Sequence, residues 1–296
     1  MTHTWDGSDD RIAIYKTNEM SELSQVAPVT VWMAPSTGPY SRDIWAPELH
    51  FYDGKFYLYF AGDSGSNDGH RVYVLENSSP DPTFGKWVMK GKVADLSNDL
   101  WAIDASTFEY KGHRYIVWSG IEPGTKSCNT NIYIAELANP WTLNTTRVKL
   151  SSPTYDWEMV GCPINEGPEA LISPTGNLFL SYSGGGCGTD NYALGLLSLA
   201  ENGSPLNATH WTKSPTPVFV KDPANGAYGP GHNGFFKSLD ETEYWIIYHA
   251  KNQTNQGCGI LRNPRIQQLT WNSNGTPNFG VPVKIGLPIP KPSGET

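Results

Sequence analysis

Apolar and polar residues alternate along this chain in short, strand-length runs, and the runs come in pairs joined by turns. In the clearest pair, Asn165-Glu166-Gly167-Pro168-Glu169-Ala170-Leu171-Ile172 sets a carboxylate at the mouth of an apolar run. A turn follows (Ser173-Pro174-Thr175-Gly176-Asn177), then a second run, Leu178-Phe179-Leu180-Ser181-Tyr182-Ser183. Three other pairs are built alike. Trp45-Ala46-Pro47-Glu48-Leu49-His50-Phe51-Tyr52 leads through Asp53-Gly54 to Lys55-Phe56-Tyr57-Leu58-Tyr59-Phe60. Trp101-Ala102-Ile103-Asp104-Ala105-Ser106-Thr107-Phe108 leads through Lys111-Gly112 to Arg114-Tyr115-Ile116-Val117-Trp118. Gly231-His232-Asn233-Gly234-Phe235-Phe236 precedes Tyr244-Trp245-Ile246-Ile247-Tyr248. The leading polar residues, Glu48, Asp104, Glu166 and His232, lie 56, 62 and 66 residues apart. Apolar runs bounded by Gly and Asp turns predict hairpins, and hairpins at this period predict the blades of a β-propeller.

A blade is four antiparallel strands, the innermost lining the central channel. In the Glu48 blade the spacing predicts strands near 48–53, 55–61, 70–77 and 86–93. Successive strands run in opposite directions, so the start of a first strand and the end of a second share one face. On that rule Glu48, Asp104, Glu166 and His232 converge on one mouth. Asp63, Ser119, Ser183 and His249 join them from second-strand ends, and Trp45 and Trp101 stand just ahead of first strands. Indoles stack on the apolar faces of sugars and carboxylates accept from hydroxyls, so this set predicts a carbohydrate site. At the amino end, Thr2-His3-Thr4 reads as the close of a second strand, Trp5 to Asp10 as a turn and Arg11 to Lys16 as a third strand. The first blade is therefore expected to lack its innermost strand, leaving a ladder edge uncovered. Asp6, Asp9 and Asp10 fall in a loop on the same face, where a solvated acidic turn is the expected role.

Composition narrows the picture. The repeat spans nearly all of the 296 residues, so one domain over 1–296 is expected. Hydrophobic residues make up 38%, enough for a large core, and 30 Gly and 23 Pro punctuate the runs as turns do. A net charge of −8 without a basic patch argues against nucleic acid and anionic membranes as partners. No apolar run approaches the ~20 residues of a membrane span, and no signal peptide is expected within these residues. Cys128, Cys162, Cys187 and Cys258 lack metal-ligand spacing. Four cysteines allow three pairings; free buried thiols are the expected state, with Cys162–Cys187 the pair to test. Asn77, Asn144, Asn202, Asn207, Asn252 and Asn274 each open an N-glycosylation pattern, as in a secreted protein.

The motifs Ile44-Trp45-Ala46-Pro47-Glu48, Trp101-Ala102-Ile103-Asp104, Tyr155-Asp156-Trp157-Glu158 leading to Asn165-Glu166-Gly167-Pro168, and Tyr228-Gly229-Pro230-Gly231-His232-Asn233 together resemble glycoside hydrolase family 43. Their order is most like that of its exo-acting α-L-arabinofuranosidases. The resemblance runs from Thr2 to the tail Gly286-Leu287-Pro288-Ile289-Pro290. It implies a five-bladed β-propeller, here with an incomplete first blade. It implies inverting removal of α-L-arabinofuranosyl units from arabinan or arabinoxylan, secretion, and a monomer. Glu166 resembles the general acid and Asp104 the carboxylate that orients it and tunes its pKa. His232 resembles a central histidine that approaches a calcium or sodium ion, and Arg265 an arginine of the last blade that contacts substrate. Trp45, Glu48, Trp101 and His249 complete the expected substrate-binding set. The family's general base, an Asp of the first inner strand, has no counterpart in this sequence. Two other readings are a carbohydrate-binding pseudoenzyme that keeps the pocket without turnover, and a β-xylosidase.

Overall fold

The predicted hairpins are present in the computed structural model, which describes residues 2–4 (backbone only), 9–94 and 98–295. Asp6, part of the expected acidic turn, lies outside the described residues. Among the described residues there is no α-helix, only strands and short 3-10 turns. The chain divides into two compact units, Met1–Ser127 with Tyr133–Val148, and Cys128–Ile132 with Lys149–Thr296.

Among the described residues there are five sheets, in which strands adjacent in the sheet are neighbours in sequence except for β12 on β10. The first has three strands, β1 (Thr2–Thr4), β2 (Arg11–Ile14) and β3 (Val29–Met33). The second runs β4 (Arg42–Tyr52), β5 (Lys55–Asp63), β6 (Arg71–Asn77), β7 (Val88–Val93). The third runs β8 (Ala102–Tyr110), β9 (His113–Gly120), β10 (Asn131–Asn139), β11 (Thr142–Leu143), with β12 (Val148–Ser151) also on β10. The fourth runs β13 (Asn165–Ile172), β14 (Leu178–Gly184), β15 (Ala193–Leu199), β16 (Trp211–Lys213). The fifth runs β17 (Tyr228–Lys237), β18 (Tyr244–Lys251), β19 (Arg262–Trp271), β20 (Pro277–Asn278). Sequential antiparallel strands of this number are what a propeller blade requires. The second strands are buried on both faces; β14 is buried at every residue. That is why Leu178 to Leu180 reads as a continuous apolar run rather than an alternation.

Within the first unit, Tyr57, Tyr59, Val72, Val74, Ile116 and Tyr133 form one core, and Ile12, Ile44, Leu58, Phe60 and Leu75 another. In the second unit Leu171, Leu194, Phe219, Ile246 and Tyr248 pack together. Each such fully buried side chain contributes about 1.5–3 kcal/mol.

Register corrects the sequence reading of the repeat. In four sheets the ladder between first and second strands breaks near its opening, and the residue at the break has positive φ: Ala46 (44°), Asp104 (55°), Gly167 (55°) and His232 (46°). The residues ahead of them, Trp45, Ile103, Glu166 and Gly231, pair with Ala61, Ser119, Ser183 and His249. Asp104 and His232 therefore share one repeat position, whereas Glu166 lies one residue before it and Glu48 two after. Nor does Glu48 open its strand, since β4 begins at Arg42. A β-bulge adds an unpaired residue that shifts every later side chain, and it leaves no mark in a hydrophobic pattern.

The cysteines are also corrected. They form Cys128–Cys162 and Cys187–Cys258, with no free thiol among them. The pairs are 5.6 and 5.2 Å apart at Cα, inside the reach of a disulfide, so Cys162–Cys187 is not the pair formed. Asn77 is unsuited as a glycan acceptor: it is buried, and its amide donates to the Phe84 carbonyl at 2.7 Å. The turn at Asp9 and Asp10 is structural, with the Asp9 and Asp10 carbonyls accepting from the Ile44 and Ala34 N–H groups and the Asp10 carboxylate paired to Arg11.

Candidate active site

In the first unit, Glu48 and Asp104 are close enough to influence each other. Glu48 keeps some open surface yet is surrounded by protein. That burial, reinforced by the Asp104 charge, raises its carboxyl from 4.5 to about 8. Asp104 is itself 6% exposed, on a left-handed backbone that suits Asp better than most residues. Trp45 lies face to face with His70, ring centroids 4.0 Å apart, and Trp101 meets the same ring edge-on. Trp101 is buried and its indole N–H donates to the Asn67 carbonyl, whereas Trp45 retains open surface. His70, which the sequence pattern did not reveal, is wholly buried. Its Nδ1 lies 3.2 Å from Asp63 Oδ2 and its Nε2 3.0 Å from the Asp43 carbonyl.

The protonated state of Glu48 carries a stability signature. Its folded pKa exceeds the unfolded one, so the folded state holds an extra proton between about 4.5 and 8, and stability falls as pH rises through that window. Glu48→Gln is expected to remove a fall on the order of 5 kcal/mol, about 1.4 kcal/mol for each unit of that window. Urea unfolding of both proteins near each end of the window would check this; parallel pH dependence in the two would show that Glu48 ionises normally.

In the second unit, Glu166 stands at the opening of β13. Its Oε1 accepts from the Tyr192 hydroxyl at 2.6 Å. Tyr192 is fully buried just ahead of β15, and its ring stacks on His249 at 5.8 Å and 7°. His249 Nε2 lies 3.3 Å from Arg262 Nη1, and burial together with the Arg262 charge holds the imidazole well below its usual range. His232 is likewise pushed down, chiefly by burial, with the Glu166 charge opposing the shift. Its backbone N–H donates to Ser183 Oγ at 2.8 Å, and the bare Cα of Gly167 leaves room for its ring. The unit thus gathers Glu166, Tyr192, His232, His249 and Arg262.

Arg265 lies elsewhere. It is buried and donates to the carbonyls of Val283, Gly226 and Lys251 and to Asn252 Oδ1. The arginine beside the histidines is Arg262. The two are an odd number of residues apart on β19, so they face opposite sides of the sheet. Behind Glu166, the side chain of its neighbour Asn165 enters a buried polar cluster. Its Nδ2 donates to Glu158 Oε1 at 2.8 Å, and its Oδ1 accepts from Ser151. Glu158 also accepts from Lys213 Nζ (2.6 Å), the Tyr182 hydroxyl and the N–H groups of Thr154 and Tyr155. A groove of about 510 Å³ beside Trp157 and Val220 contains none of Glu48, Asp104 or Glu166.

Sheets of this build, with a carboxylic acid at the mouth of a first strand and histidines beside it, fit a glycosidase. Residues 1–277 match Glycosyl hydrolases family 43, and the chain belongs to that family. It is 41% identical over 284 residues to an extracellular exo-α-(1→5)-L-arabinofuranosidase of Streptomyces avermitilis, a match covering 94% of this chain and 58% of that protein. A protein of the same description from Streptomyces chartreusis is 41% identical over 244 residues, covering 82% of this chain and 73% of its own length. The crystal structure of α-L-arabinofuranosidase from Lactobacillus brevis superposes with a TM-score of 0.88 at 39% identity, over 95% of this chain and 90% of that one. The chain therefore spans little more than half the length of the S. avermitilis relative.

Proposed function

We propose that the chain is an exo-acting glycosidase that releases terminal α-L-arabinofuranosyl units from arabinan or arabinoxylan with inversion. The observation that carries this reading is Glu166 at a strand mouth with Tyr192 on one oxygen and His232 nearby, in a chain 41% identical to exo-arabinofuranosidases. We read the five sheets as the blades of one five-bladed propeller forming a single catalytic domain, secreted and monomeric.

In the proposed reaction Glu166 gives its proton to the glycosidic oxygen as the bond to the anomeric carbon breaks. Inversion then calls for a water on the opposite face that gives its proton to a second carboxylate, which in inverting glycosidases stands roughly 6.5–9.5 Å from the acid. Asp104 is assigned the modulator role on family resemblance. No residue of this chain is assigned as the base. Trp45 and Glu48 are assigned to substrate contact, with Arg262 taking the place first expected of Arg265. His232 offers a neutral imidazole to a central cation. Among the described residues no group of three His, Cys, Asp or Glu is placed to hold a metal ion. The side chains therefore do not fit a protein-built calcium cage, which calls for six to eight oxygen ligands, and no step is routed through an ion.

The test is proton NMR of the first sugar released from linear α-1,5-linked arabino-oligosaccharides. Arabinose appearing first as the β-anomer supports the proposal. The α-anomer appearing first overturns the inverting step. Binding of arabinose without release assigns the chain to non-catalytic recognition, and release from xylosides alone assigns it to the xylosidases.

A further inference from the structure

Tyr192 is too deeply placed to touch a substrate, yet its hydroxyl ends on the carboxyl group assigned as the acid. Taking that assignment as given, we infer that Tyr192 is a positioning residue for Glu166: by donating to Oε1 it leaves Oε2 as the oxygen that carries the transferable proton. The hydrogen bond, at 2.6 Å, makes Oε1 an acceptor. A carboxylic acid has one proton, and an oxygen accepting from a phenol is the carbonyl-like one. The proton therefore sits on the other oxygen, and the acid reaches the glycosidic bond in one orientation instead of two.

The surroundings hold the phenol in this role. His249 lies parallel to the Tyr192 ring and is itself met by Arg262. On another side is Gly231, where an added Cβ would run into the Tyr192 ring. The loop that delivers Tyr192 is tied down as well. Lys251, buried on β18, donates to the carbonyls of Cys187 and Thr189. The Gly229 N–H donates to the Asp190 carbonyl and the Asn255 N–H to the Asp190 carboxylate, and Cys187–Cys258 closes the loop covalently. A phenylalanine would fill the same space, so packing alone does not account for the hydroxyl.

Among the described residues of this unit, the charged and titratable groups around the pair and its neighbours include His232 on β17, His249 and Lys251 on β18, Arg262 on β19, and Asp190. Both histidines are held below the usual imidazole range, chiefly by burial. A hydrogen bond to the carboxylate favours its charged form, so removing it raises the pH at which Glu166 ionises.

The experiment is a carbon-13 NMR titration of the Glu166 carboxyl, assigned by its loss in Glu166→Gln, in the native protein and in Tyr192→Phe. This readout does not depend on turnover. An upward shift of about one unit is expected in the variant. Where the chain turns over arabino-oligosaccharide, the basic limb of kcat should move up by the same amount, with kcat at the optimum about tenfold lower and KM little changed. Gly231→Ala, which keeps the hydroxyl but displaces the ring, should give the same shift. An unmoved Glu166 titration in folded Tyr192→Phe overturns the inference and leaves Tyr192 as packing. Full activity in Glu166→Gln would instead overturn the acid assignment, independently of the titration.

Discussion

Replacing Glu166 by Gln is expected to lower kcat on α-1,5-linked arabino-oligosaccharides by about 10³-fold, within the range that general acid catalysis contributes. The amide keeps the shape of the side chain and can still accept from Tyr192 but has no proton to give. The loss should depend on the leaving group. A sugar alkoxide needs protonation as the bond breaks, whereas an activated aryl leaving group departs as a stable anion. The variant should therefore retain far more of its activity on an activated aryl arabinofuranoside than on the oligosaccharide. The basic limb of the pH–rate profile, which reports the acid's deprotonation, should vanish. Comparison of kcat on the two substrates, with KM as a check on binding, decides the matter. Equal losses on both would mean that Glu166 binds or orients substrate without donating a proton.

The largest expected effect on stability comes from Glu158→Ala. Burial alone would push the Glu158 carboxyl up, but the Lys213 ammonium, two backbone N–H groups and Asn165 bring it below its ordinary value. Truncation leaves Lys213, Tyr182, Asn165 and two backbone donors without their shared acceptor. Breaking one side of a buried ion pair costs about 3–5 kcal/mol, which in a chain of this size lowers Tm by roughly 10 °C. A companion Glu158→Leu, Lys213→Met pair should recover much of the loss, because no charge is then left buried alone. The folded pKa is depressed, so the native contribution is present above the ordinary carboxyl value and lost as pH falls through the folded one. Calorimetry of the two variants checks this; a Glu158→Ala Tm within a degree or two of native would show that water satisfies the orphaned donors. Asn165 precedes Glu166, so part of the cost should also appear as looser placement of that side chain.

Much of this was legible in the sequence because hairpins write themselves as turn-bounded apolar runs. β5, β9, β14 and β18 are found where Lys55–Phe60, Arg114–Trp118, Leu178–Ser183 and Tyr244–Tyr248 predicted them. The bulge was not legible, since an inserted residue alters register without altering composition; hence the misalignment of Glu48 and Glu166 against Asp104. Arg262 and Arg265 are chemically identical in a sequence, and only strand parity separates the one beside His249 from the one buried against Gly226 and Val283. Tyr192, and the ion pair of the motif residue Glu158, were hidden for another reason. Their partners Glu166 and Lys213 lie 26 and 55 residues away, and no local pattern encodes a contact at that range. The cysteine pairing is non-local in the same way, joining residues 34 and 71 positions apart.

The positive-φ position at the opening of four sheets can be regarded as an exchangeable mount. The backbone there is nearly the same in each, while the side chain is a methyl at Ala46, a carboxylate at Asp104, nothing at Gly167 and an imidazole at His232. Holding a non-glycine residue in this conformation costs roughly 1–2 kcal/mol, absorbed by the surrounding sheet. Chemistry at the openings of these sheets can thus be rewritten one residue at a time at Ala46, Asp104 and His232, whereas a side chain at Gly167 would press on the His232 ring, and an engineer seeking a new activity would vary those three positions before any loop.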